Sequence, residues 1–317
     1  MMLQNQTTNT ILTEVIQRAS GEKLLDKSCK LVLANKQILA HIMKECVPEY
    51  QNASIEDIAE FYIEGTPHVG SINILTGENI VGSSTEDLNM QNGKTFYDIR
   101  YRAVVPNDDD FIELILNIEI QNDYYPGYPL IKRAINYASN MIANQYGTEF
   151  VNSDYAKIKK VYSIWICHDV PKRLKNSMNS YQLTEKQRFG NASELQTNYD
   201  LLEVVMIYLG QAGSKTESNV LKLLNTLLCS KIHSKEKIEF LEQEFNISRS
   251  KKLESEVSLM CNLSIGVRRS GIQQGNSEKA IEIAKSLLQS KMVPELVAKH
   301  VKLTINEIKS LQAEISA

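Results

Sequence analysis

The chain has 317 residues, with 35 Lys and Arg against 38 Asp and Glu and a net charge of −3. That length suits one α/β domain plus an accessory region, and near-neutrality excludes a global basic field, so a nucleic-acid site has to be a local patch. The five cysteines are scattered, with no CxxC and no Cys/His cluster, which excludes a disulfide framework and a zinc site and fits reduced thiols in a cytoplasmic protein. The first ten residues lack a basic-then-apolar pattern, and no apolar run reaches the ~18–20 residues of a spanning helix, so no export signal and no membrane partner are expected.

In chain order, residues 11–23 read as a short amphipathic lead-in. Asp26 to Val47 reads as one helix, because Ile38, Leu39, Ile42, Met43, Cys46 and Val47 form an apolar stripe at helical spacing. Ser54, with Glu56 and Asp57 after it, is expected to cap a short helix running to Gly65. Pro67 to Gly93 has little periodicity and several glycines, and reads as loop with a short strand.

Thr95 to Gln121 is the centre of the chain. Phe96, Asp98, Arg100 and Arg102 alternate with Tyr97, Ile99, Tyr101 and Ala103; Ile115, Asn117, Glu119 and Gln121 alternate with Leu114, Leu116, Ile118 and Ile120. Period-two alternation on both sides of the acidic turn Pro106 to Asp110 predicts a hairpin. If it closes between Asp108 and Asp109, Asp98 lies opposite Glu119, and Gln121 points to the same side. Two carboxylates so close repel, so one is protonated or a cation lies between them; a wet hairpin face is the plainer alternative.

Pro129 suits the first turn of a helix and Gly147 its end; Arg133 and Tyr137 are i and i+4 neighbours on it. Lys159 to Cys167 and Asp200 to Leu209 are apolar runs of strand length, separated by the polar stretch Asp169 to Tyr199. This order predicts an α/β fold with a mixed sheet and flanking helices. Helical stripes follow at Val220 to Leu228, Ile238 to Phe245 and Ile281 to Leu288. A boundary is therefore expected at 212/213, giving domains 1–212 and 213–317. The end, Val293 to Leu311, reads helix, tight turn, helix, with Thr304 and Glu307 as a capping box. This helix-turn-helix-like tail is expected to pack or to form a homo-oligomer, with DNA contact as the alternative. No phosphate loop, nucleophile elbow or zinc spacing occurs, which excludes P-loop ATPases, kinases, serine hydrolases and zinc deaminases.

Asp followed one hairpin later by Glu-x-Lys is the signature of the PD-(D/E)XK nuclease fold. Here Asp98, Glu119 and Gln121 resemble that triad, with Gln in the Lys place. KQILAHIMKE, TED, FYDIRYRAVVP, NIEIQNDYYPGYPLIKRAINYASNMI, GTEF and IKKVYSIWIC, in order from Lys36 to Cys167, resemble the Rpn-type PD-(D/E)XK nuclease family transposases. The resemblance implies a restriction-endonuclease-like core. It implies Mg²⁺ (or Mn²⁺) held by Asp98, Glu119 and the main-chain carbonyl of Ile120, with Glu86 as a further ligand. It also implies a metal-dependent DNA endonuclease that promotes recombination, with Arg133 on the phosphate and Tyr137 packing or placing water. Gln121 departs from the pattern. The alternative is a non-catalytic nucleic-acid-binding or regulatory protein on a degenerate nuclease scaffold.

Overall fold

The computed structural model describes residues 20–69, 86–89, 93–106, 111–301 and 303–316. The lead-in up to residue 19, the stretch 70–85 and the acidic turn 107–110 lie outside the described residues. Two compact units emerge: Leu24–Cys261, and Met1–Lys23 with Asn262–Ala317.

The first unit is built on a six-stranded mixed sheet. Its strands are β1 (His68–Val69), β4 (Ile99–Pro106), β5 (Phe111–Asp123), β6 (Lys160–Asp169), β7 (Ser177–Gln182) and β8 (Leu202–Tyr208), in the spatial order β1-β4-β5-β6-β8-β7. β5, β6 and β8 run parallel, while β1, β4 and β7 are antiparallel to their neighbours. A separate two-stranded ladder joins β2 (Glu86–Asn89) to β3 (Gly93–Phe96). β6 and β8 read as unbroken apolar runs because both of their faces are covered. On one face Ile99, Tyr101, Leu114, Leu116, Ile118, Tyr162, Ile164, Ile166, Val205 and Ile207 enter the main core. On the other, Ile115, Val161, Trp165, Cys167, Val204 and Met206 pack under α4 (Leu130–Ala143) through Leu130, Ala134, Ala138 and Met141.

The single helix expected over Asp26 to Val47 is two. α1 (20–33) stops at Ala34, and α2 (Lys36–Cys46) restarts behind Asn35. Asn35 Oδ1 accepts from the N–H groups of Gln37 (2.9 Å) and Ile38 (3.4 Å), a side-chain cap that lets the chain turn without orphaning those donors. Ser54 caps the short α3 (Ile55–Asp57) as expected, accepting from Asp57 N–H at 3.0 Å. Strand β7 was not legible: SMNSYQ is polar and largely exposed, and it reaches the sheet only as an edge against β8.

Beyond the short α5 (Gln196–Tyr199) and β8, the elements are all helices: α6 (Asn219–Leu227), α7 (Ser234–Phe245), α8 (Lys251–Gln289), α9 (Pro294–Val301) and α10 (Ile305–Ser316). The division expected at 212/213 is not where the compact units part. Val220, Leu221, Leu223, Leu224 and Leu227 of α6, with Ile238 and Leu241 of α7, lie in the same core as Ile38, Leu39 and Ile42 of α2. An apolar sheet face needs a cover, and these helices supply it. The last part of the chain forms its own small core, with Ala284, Val297 and Ile308 buried. There Thr304 and Glu307 make the expected capping box, with Thr304 N–H donating to Glu307 Oε2 at 2.7 Å and Glu307 N–H to Thr304 Oγ1 at 3.3 Å. Among the described residues no helix is long and apolar enough to cross a membrane.

Candidate active site

The β4–β5 ladder runs from Pro106↔Phe111 to Ile99↔Ile118, the register expected from counting outward from between positions 108 and 109. One step beyond its last pair come Asp98 and Glu119. There the ladder continues through side chains. Asp98 N–H donates to Glu119 Oε1 at 3.1 Å, and Ile120 N–H donates to Asp98 Oδ2 at 2.9 Å. Each carboxylate thus holds the other strand's backbone. Ile120, expected to lend a main-chain ligand, is tied to the pair by its N–H.

Gln121, two residues on, lies on the same face of β5. Its Nε2 donates to the carbonyl of Asp123 at 2.6 Å, and its Oε1 accepts from Arg133 Nη1 at 3.4 Å. Arg133 comes from α4. Its Nη2 donates to Tyr137 O–H at 2.9 Å, and its guanidinium carbon lies 5.0 Å from the centre of the Tyr137 ring and 5.3 Å from that of Trp165. Trp165 is the register partner of Glu119 on β6. The helix spacing of Arg133 and Tyr137 therefore brings both toward the acid pair, and Glu119 draws on the charge of Arg133. Glu86 opens β2, its backbone paired with Phe96; its side chain is outside the described part.

Sequence reasoning missed Lys30. It projects from α1, with Nζ 2.7 Å from Asp98 Oδ1 and 2.5 Å from Asp26 Oδ2. The signal was there: Asp26 and Lys30 are i and i+4, and Lys30 interrupts the buried row Ser28, Val32, Leu33. Asn117, fully buried two residues before Glu119, was also missed as a partner; its side chain steadies the Glu119 carboxylate.

Burial dominates the electrostatics. Glu119 is 3% exposed, and desolvation followed by the nearby Asp98 charge pushes its carboxyl up to about 8. Burial also raises Asp98, against the pull of Lys30. The folded protein thus holds a proton on Glu119 that the unfolded chain releases near 4.5, so Glu119 lowers stability as pH climbs from about 4.5 to about 8. Metal-free Glu119→Gln is expected to melt a few degrees above wild type at pH 9, and the gap should close near pH 4. Differential scanning calorimetry in EDTA checks this; equal melting temperatures at pH 9 would show that Glu119 carries no such penalty.

Among the described residues no three His, Cys, Asp or Glu side chains converge as a metal cage. Mg²⁺ does not require one, because it is commonly bound through one or two carboxylates, keeping waters and substrate phosphates as its other ligands. The two carboxylates present, Asp98 and Glu119, match that number and type of donor, with Lys30 at 2.7 Å offsetting the charge of Asp98. A separate cleft of about 1240 Å³, lined by Glu49, Tyr62, Glu149, Lys159 and Asp200, also meets β5 at Leu114. Five residues along that strand, about 17 Å, separate Leu114 from Glu119. No family model, curated protein or solved structure matches this chain.

Proposed function

We propose that this protein is a metal-dependent deoxyribonuclease that hydrolyses phosphodiester bonds, on a core of the restriction-endonuclease kind. The observation that carries the reading is the acid pair. Asp98 and Glu119 extend the β4–β5 register by one step, clamp each other's backbones and lie largely buried. An ordinary wet hairpin face does not bury two carboxylates together.

Asp98, Glu119 and the Ile120 carbonyl would hold Mg²⁺ or Mn²⁺. When bound, the ion supplies a water of lowered pKa and screens the phosphate charge. The protein's own groups do the rest. Gln121 offers an amide that can orient water by hydrogen bonding but carries no charge. Arg133, already steered by Tyr137 and Trp165, offers donors to a phosphate oxygen. Stacking on two rings keeps that guanidinium in one orientation, so little freedom is lost when a phosphate docks.

A second reading is favoured by one observation. Gln121 stands in the Lys place, and its Nε2 is engaged by the Asp123 carbonyl. That suits a nucleic-acid-binding or regulatory protein that has given up catalysis. Plasmid nicking separates the two. Supercoiled DNA is expected to be nicked with Mg²⁺ or Mn²⁺ and left intact with EDTA. DNA that is retarded on a gel and never cut, with either ion, would favour the binding protein.

A further inference from the structure

Lys30 has 7% of its surface exposed, and its neighbours Cys29, Val32 and Leu33 pack in the main core. A buried ammonium loses its hydration and needs partners to offset the loss. Asp98 and Asp26 provide them, at 2.7 and 2.5 Å. Yet a buried ion pair seldom stabilises a fold more than well-packed apolar side chains would, so packing does not explain a lysine at this position. What distinguishes it is its target. Lys30 touches Asp98, an acid of the site, while strand position 121 carries a neutral amide.

We propose that Lys30 is the positioning cation of this site, supplying from α1 the positive charge that Gln121 cannot. It acts through Asp98. Oδ1 is held by Lys30 and Oδ2 by Ile120 N–H, so the carboxylate is fixed from both ends. On the far side of Glu119, Arg133 sits on Gln121. The acid pair is thus flanked by one cation on each side, each delivered by a helix. This role rests on the nuclease reading above.

The proposal predicts changes of opposite sign. Lys30→Gln keeps a hydrogen-bond donor and removes the charge. Relieved of a neighbouring cation, the acid pair should bind Mn²⁺ about tenfold more tightly. Cleavage should nevertheless slow by about one to two powers of ten, because charge stabilisation is lost as the phosphate reacts. Lys30→Arg should stay nearer wild type. In Lys30→Gln combined with Gln121→Lys, the charge returns from β5 and the rate should recover.

Calorimetric Mn²⁺ titration of the full-length protein and single-turnover plasmid cleavage at saturating Mn²⁺ read both signs, with circular dichroism confirming the fold. Should Lys30→Gln fail to fold, Gln121→Lys alone decides. With Lys30 already in place, the added cation should weaken Mn²⁺ binding and change the rate by no more than about twofold, whereas a gain of about tenfold would show that the charge had been missing. Wild type that fails to cut overturns the nuclease reading and this role with it. Wild type that cuts, beside a Lys30→Gln variant equal to it or weakened in both Mn²⁺ binding and rate, overturns this role alone.

Discussion

Glu119→Ala is expected to lower plasmid cleavage by about a thousandfold or more while leaving the protein folded, and Asp98→Ala to do the same at a greater cost in stability. The loss is large because each change removes half of the acid pair, and groups that act as a unit fail together. The stability difference follows from the neighbours. Without Glu119, Asp98 and Lys30 still neutralise each other at 2.7 Å. Without Asp98, Lys30 keeps only Asp26, 2.5 Å away. The penalty should fall below the about 3–5 kcal/mol of a fully orphaned buried charge, because Asp26 remains. Single-turnover rates and thermal melts of the two variants check both parts. Full cleavage by both would remove Asp98 and Glu119 from the mechanism.

The second large effect concerns the C-terminal helices. A chain ending at Lys215 is expected to be insoluble. Thirteen members of the main core lie after that point, from Val220 to Cys261. Each buried apolar side chain of this size contributes about 1.5–3 kcal/mol. Together they far exceed the about 5–15 kcal/mol by which a domain is stable. A chain ending near residue 265 keeps the whole of Leu24–Cys261 and should stay soluble and melt cooperatively, with less helical circular dichroism than wild type because most of α8 and all of α9 and α10 are gone. Soluble, folded protein from the shorter chain would mean that α6 and α7 are dispensable to the sheet.

The contrast shows what a sequence can carry. The β4–β5 register was legible because both strands alternate strictly and the turn between them is unmistakable; the juxtaposition of Asp98 and Glu119 followed from counting. Arg133 and Tyr137 were legible because helical spacing is fixed. Lys30 was not, since nothing local says that α1 ends up beside Asp98; that contact joins residues 68 positions apart. That the compact units part elsewhere than at 212/213 was hidden for a related reason. A helical stripe such as Val220 to Leu227 announces that it will be buried, not which surface buries it. Asn35 escaped notice because the apolar stripe of α2 extends upstream of it in the sequence, and only the cap geometry reveals the break.

The pairing of α2 with α6 also bears on how the chain is made. Ile38 and Leu39 are synthesised well before their partners in α6, which come about 180 residues later in the chain. Until those helices appear, a nascent sheet presents one greasy face with nothing to close it. Such long-range closure is slow and leaves intermediates prone to stick to one another. The nascent sheet would therefore close only once α6, α7 and the start of α8 had been made, and a stalled ribosome anywhere between β8 and α8 would hold an adhesive half-built product. A helper that shields hydrophobic surface during that interval should matter more to this protein than to one whose core is assembled from neighbours in sequence.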